Sequence, residues 1–385
     1  MKASALSLQR TPRQRVFIHI GLPKTGSTYL QDRLWRNRRA ALRGGLLYPG
    51  ETHDAHFQAA THLQPERYLD WANPAYHGIL DKLVNEIRHW PRTSILSHEL
   101  FANASVDRVQ ELVHKLDFAE VHVIVAARDL ARQIPSVWQE NIKNQYTTSF
   151  EQFVADVASE NPATDPFWEF QDVTRILSTW GSVVPADRMH VVTVPSSSAG
   201  TGLLWDRFLS VLGIDGSFLP LEIEFSNSSL GVGGLEVLRL VNQRVRGNID
   251  WWRYENVVKN QLIGSVLAHL DDQALPTLPE EAREWAVEKS ASIVAHIVDV
   301  GFDVVGDLDE LQPANAARGC SEMGEREVLA VAVEALVGMI NTMPEPEIRW
   351  SAKNTAKGML RAPYTQLAAM RFAFERRFAN GSWAS

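Results

Sequence analysis

The chain carries one cysteine, Cys320, in 385 residues, so a disulfide framework is excluded. It also lacks a surplus of positive charge. Asp and Glu number 46 against 38 Lys and Arg, a net charge of −8, which argues against nucleic acid as its main partner. No apolar run is long enough to span a bilayer, and the stretch in the opening Met-Lys-Ala-Ser-Ala-Leu-Ser-Leu-Gln-Arg is too short for a signal peptide. There is no internal repeat and no low-complexity tract. These absences predict a cytoplasmic protein. What the chain does have is apolar content, 45%, enough for a large core in one domain or in one domain with an appendage.

Residues 16 to 30, Val-Phe-Ile-His-Ile-Gly-Leu-Pro-Lys-Thr-Gly-Ser-Thr-Tyr-Leu, are the densest signal. Val16 to Ile20 is a short apolar strand. Gly21 and Gly26 give freedom at both ends of a tight loop, and Ser27 and Thr28 start a helix through Leu30 and Leu34. Backbone amides of such a loop and of the first helical turn converge where an anion is favoured. The pattern is close to Gly-x4-Gly-Lys-Ser/Thr, but Ser27 stands where the lysine belongs, and Lys24 lies three residues earlier. The cradle is kept while the transferred group differs from that of an ATP-hydrolysing site.

Pro23-Lys24-Thr25-Gly26-Ser27-Thr28 resembles the 5′-phosphosulfate loop of cytosolic-type and bacterial sulfotransferases, whose donor is 3′-phosphoadenosine 5′-phosphosulfate (PAPS) and whose product is the bisphosphate PAP. The resemblance implies a second motif, an arginine at a strand end and a serine eight residues later binding the 3′-phosphate. Arg128 and Ser136 in Ala-Ala-Arg-Asp-Leu-Ala-Arg-Gln-Ile-Pro-Ser fit that spacing. On the residues' own terms, Val121 to Ala127 is the continuous apolar run of a strand covered on both faces. Arg128 therefore emerges at a carboxyl edge, where it can take a phosphate through two parallel hydrogen bonds. Arg132, Ser136 and Lys143 recur at helical spacing, with Pro135 confined to the first turn or else bending the helix. The resemblance covers residues 14 to 311 and implies a soluble, bacterial-type member.

Strands are predicted at 16 to 20, 94 to 98, 121 to 127 and 188 to 194, and helices at 28 to 43, 78 to 90, 107 to 116, 131 to 144, 169 to 181 and 202 to 213. The alternation predicts an α/β, P-loop NTPase-like three-layer fold: a central parallel sheet flanked by helices, followed by a helical C-terminal extension. The expected division is a sulfotransferase domain at 14–311 and an extension at 320–385 that serves packing or homo-oligomerisation. The crowd of Arg33, Arg36, Arg38, Arg39 and Arg43 after the loop reads first as a solvated helix face.

Sulfuryl transfer to a hydroxyl needs a stabilised leaving phosphate, a deprotonated acceptor oxygen and alignment of the two, with no obligatory metal. The resemblance gives Lys24 the charge-stabilising role at the bridging oxygen, with the amides of Thr25, Gly26, Ser27 and Thr28 on the phosphosulfate. Glu99, after the apolar run ending at Ser97, is the first choice for general base and His98 the second. His19 reads as a core histidine, and His53, His56 and His62 do not complete a metal site; the resemblance, in which acceptor-lining residues follow the segment matching Leu47-Tyr48-Pro49-Gly50, implies His56 as a weaker candidate for acceptor contact. Trp71, Tyr76, Trp138, Phe167 and Trp168 could stack on the acceptor, a small molecule or glycan bearing a hydroxyl, although most of them read as core or lid. Two other classes stay open. One is a nucleotide kinase or NTPase with Asp129 imitating a magnesium-binding carboxylate; the other is a non-catalytic nucleotide-binding protein.

Overall fold

The computed structural model describes residues 14–161, 165–196, 199–200, 202–219, 229–271, 274–313 and 323–343. In chain order the elements are β1 (Arg15–His19), α1 (Ser27–Gly44), β2 (Leu46–Leu47), α2 (Ala55–Leu63), α3 (Ile79–Arg88), β3 (Thr93–Ser97), α4 (Val106–Lys115), β4 (Glu120–Ala127), α5 (Leu130–Lys143) and α6 (Phe150–Ala158). There follow α7 (Asp165–Gln171), α8 (Val173–Gly181), β5 (Met189–Thr193), α9 (Gly202–Leu212), α10 (Val232–Val245), α11 (Trp251–Arg253) running into a π-helix at Tyr254–Val266, α12 (Glu280–Val300), β6 (Asp303–Val305) and α13 (Glu325–Thr342).

The strands form one parallel sheet in the order β2-β3-β1-β4-β5-β6, with helices on both faces, so the three-layer α/β expectation holds. Because side chains alternate along a strand, Val16 and Ile18 enter one core with Leu83 of α3, Leu112 of α4 and Ile176 of α8. Phe17 enters the other with Leu34 of α1 and Phe208 of α9. Both faces are thus dry, which is why β1 and β4 read as apolar runs rather than as alternating patterns. A third cluster lies among helices, where Ile134 of α5, Val154 of α6, Leu238 of α10, Ala286 of α12 and Ala335 of α13 pack together.

The four predicted strands form, and two short ones, β2 and β6, join the sheet at its edges. The helix expected at 169 to 181 is two helices, broken where the Asp172 side chain accepts from Arg175 N and starts α8 afresh. Pro135 sits inside α5, buried, one turn past the start. At the amino end of the sheet His122 Nδ1 lies 2.9 Å from His190 Nε2. His190 Nδ1 lies 2.6 Å from Asp303, so a polar chain ties β4, β5 and β6. The chain divides into two units, Met1–Met339 and Ile340–Ser385. Of the second only residues 340–343 are described, so the basic end from Lys353 to Arg377 lies outside the described residues, as do Cys320 and most of the loop at 225–231.

The order of the sheet decides where a ligand can bind. The neighbours of β1 are β3 and β4, on opposite sides, so the connections leaving these strands diverge at their carboxyl ends. The loop after β1, the residues after β3 and the residue after β4 therefore share one edge.

Candidate active site

The loop Gly21–Gly26 is shaped by backbone needs that only glycine meets at its two ends. Gly21 has φ +81°, and a Cβ there would lie 2.7 Å from Glu99 Cβ; Gly26 has φ +95°, and a Cβ would lie 2.7 Å from Leu204 Cδ2. Thr25 Oγ1 within the loop and Ser27 Oγ just after it both donate to Leu22 O, at 2.5 and 3.2 Å, closing the loop on itself. Gln133 Nε2 donates to Pro23 O at 2.6 Å, so α5 braces the loop from the side. With Gly26 as its N-cap, α1 begins without a side-chain cap. Ser27 is buried and Thr28 exposed.

Lys24 adopts φ +66°, a conformation uncommon for a residue with a side chain. Its carbonyl accepts from Arg128 Nη1 at 3.1 Å, and the same nitrogen donates to Ser136 Oγ at 3.0 Å. The structure therefore brings the loop, Arg128 and Ser136 into direct contact. Burial, reinforced by nearby Arg132, lowers the Arg128 guanidinium to about 10, with Asp129 opposing. An arginine stripped of water beside a second cation gains most from an incoming dianion.

Glu99 follows β3 with its Cβ against Gly21, and its Oε2 accepts from Gln31 Nε2 on α1 at 3.1 Å. His98 caps the short helical turn Glu99–Phe101 through Nδ1, which accepts from Leu100 N at 3.1 Å. Burial lowers its pKa, with the Glu99 charge pulling the other way. Asp129, the magnesium-ligand candidate of the kinase reading, is 4% exposed, caps α5 through Arg132 N and forms an ion pair with the Arg132 guanidinium. Both of its oxygens are committed.

The histidines resolve individually. His53 Nε2 pairs with Asp32 at 2.9 Å, and His62 Nε2 lies 3.0 Å from Asn73 O. His56 is 2% exposed; Nε2 donates to Pro49 O at 2.8 Å and Nδ1 accepts from Ser97 N at 3.0 Å, so it cannot reach an acceptor, contrary to expectation. His19 is fully buried, with Nδ1 2.7 Å from Ser97 Oγ, as a core histidine should be. Of the candidate stacking residues, Trp138 and Phe167 are core, while Trp71 is 55% exposed and stacks on Tyr68.

Two of these histidines carry a pH prediction. Burial holds both His19 and His56 neutral, pushing each down to about 4, whereas in the unfolded chain they titrate near 6.5. Between those values the unfolded state binds more protons, so their stabilisation is complete above about pH 6.5 and is lost as pH falls toward 4. The expected loss is roughly 2 kcal/mol per histidine by pH 5. Urea midpoints measured from pH 7 to 5 should drop accordingly; a flat profile would contradict it.

Sequence reasoning missed Gln31, Gln133 and Glu140. The last is the partner of Lys24, with Oε2 2.9 Å from its Nζ. Their only signal was spacing: Gln31 is one turn from Ser27, and Glu140 one turn from Ser136.

Among the described residues no group of three or more His, Cys, Asp or Glu could hold a metal, and no helix is long and apolar enough to cross a membrane. No family model matches the chain, and no curated protein does. Among solved structures, a sulfotransferase from Alicyclobacillus acidocaldarius aligns with a TM-score of 0.35 and 14% identity, over 62% of this chain and 98% of that one.

Proposed function

We propose that the chain is a PAPS-dependent O-sulfotransferase, moving a sulfuryl group to a hydroxyl on a small-molecule, lipid or glycan acceptor without a required metal. The observation that carries this reading is the single nitrogen, Arg128 Nη1, that bonds both the Lys24 carbonyl and Ser136 Oγ, joining the two motifs in one cleft edge. A protein that binds only a 5′-phosphate has no need of the second motif. In this reading residues 14–311 form the catalytic domain, and residues 320–385 are an extension for packing or homo-oligomerisation. The protein acts in the cytoplasm.

In this reading the amides of Thr25 to Thr28 hold the phosphosulfate, and Arg128 with Ser136 holds the 3′-phosphate. Glu99 takes the acceptor proton as the acceptor oxygen bonds to sulfur. The sulfur–oxygen bond to the 5′-phosphate breaks in line, and Lys24 stabilises the negative charge growing on the departing oxygen. The kinase alternative is weakened by the commitment of Asp129 to Arg132.

The test is calorimetric titration with PAP, ATP and 5′-AMP, each with EDTA and then with magnesium. Metal-independent binding that favours PAP is expected, and Arg128→Ala should weaken PAP about 10- to 100-fold while hardly changing 5′-AMP. Equal losses for both nucleotides would remove the 3′-phosphate assignment. Preference for ATP with magnesium would favour a kinase.

A further inference from the structure

Glu140 sets a carboxylate against Lys24, the lysine of a loop proposed to hold a polyanion. Its surroundings fix its direction. Oε2 accepts from Lys24 Nζ at 2.9 Å, and Oε1 accepts from Asn144 Nδ2 at 3.1 Å. Asn144 is itself held: the same Nδ2 donates to Glu140 O at 2.9 Å, and its Oδ1 accepts from Lys259 Nζ at 3.1 Å. Burial pushes the Glu140 carboxyl up, but Lys24, Lys143 and Asn144 outweigh it and hold it below the usual range, so it is ionised at neutral pH.

The opposite end of Lys24 is also fixed. Its carbonyl is bound by Arg128, and the preceding carbonyl, Pro23 O, by Gln133. The backbone of the lysine is thus pinned by Arg128 and by Gln133 of α5, and what remains movable is a four-carbon stem whose ammonium rests on a half-exposed carboxylate.

We infer that Glu140 is a parking carboxylate for Lys24: it holds the ammonium on α5 in the unliganded protein, and a nucleotide's 5′ anion must draw the lysine off it. This rests on the sulfotransferase reading above and assigns that site a positioning residue. The pair is suited to the task because an ion pair whose two side chains are both part-exposed is weak. A multiply charged ligand can open it, whereas a buried pair would resist. Until then the lysine is kept ordered and away from stray anions.

The test is a double-mutant cycle read by titration with PAP. Glu140→Gln is nearly isosteric at a half-exposed position, and Glu140→Ala should move affinity in the same direction. With Lys24 present, Glu140→Gln should tighten PAP about 2- to 5-fold, because the ligand no longer competes for the ammonium. In the Lys24→Ala background the same substitution should leave PAP affinity unchanged. Equal tightening in both backgrounds would reduce Glu140 to through-space repulsion and overturn the parking role, as would no change or weakening with Lys24 present. Each of those results leaves PAP binding, and with it the functional reading, intact. A wild-type protein that binds no PAP would instead sink that reading together with this role.

Discussion

Lys24→Ala is expected to lower turnover about 10²- to 10³-fold while weakening PAP by no more than about tenfold. The asymmetry follows from when the charge appears. In the proposed ground-state complex the phosphosulfate is held by backbone amides that the substitution leaves in place, with the loop still closed by Thr25 and Ser27 on Leu22 and braced by Gln133. On the way to the transition state the bridging oxygen becomes the full charge of a leaving phosphate, and the lysine ammonium is the group proposed to meet it. An interaction that grows only in the transition state shows in kcat and kcat/KM together, whereas uniform binding shows in KM. Lys24→Arg should recover only part of the loss, since the planar guanidinium is bulkier and its nitrogens are set apart in a fork. Steady-state kinetics with saturating donor decide it. A raised KM with unchanged kcat would make Lys24 a binding residue and move the stabilising role elsewhere.

The frame of this site was legible because its signals are local. An apolar run covered on both faces, two glycines at positive φ and an arginine at the end of the next central strand need no knowledge of distant contacts. The missing pieces are long-range or short. Lys24 and Glu140 are 116 residues apart, and Gln31 and Glu99 are 68 apart, so neither pairing leaves a periodic trace. β2 and β6, of two and three residues, are too brief to alternate and exist because a neighbouring strand offers them hydrogen bonds. His56 misled for another reason: its place after Leu47-Tyr48-Pro49-Gly50, where the resemblance puts acceptor-lining residues, says nothing of which way the side chain turns. Its two nitrogens instead satisfy Pro49 O and Ser97 N inside the core, a demand of buried backbone that no sequence displays.

Glu99→Gln should suppress transfer about 10²- to 10⁴-fold with PAP binding intact, and His98→Asn should cost only a few-fold. The structure gives the two neighbours different hydrogen-bond partners. Glu99 has one oxygen bonded to Gln31 of α1, so the carboxylate is oriented by the element proposed to hold the donor. His98 accepts from Leu100 N at Nδ1, and burial favours its neutral form. A neutral imidazole that accepts at Nδ1 carries its proton on Nε2 and can only donate there. It cannot take a proton from an acceptor hydroxyl without giving up its cap. Asparagine at 98 keeps a cap acceptor for Leu100 N and removes the ring, which separates loss of a base from loss of the turn. Burst and steady-state rates of both variants, alongside PAP titration, distinguish the roles. Full activity in Glu99→Gln would eliminate it as base. Inactive His98→Asn beside active Glu99→Gln would pass the role to the histidine and require the cap to open during turnover.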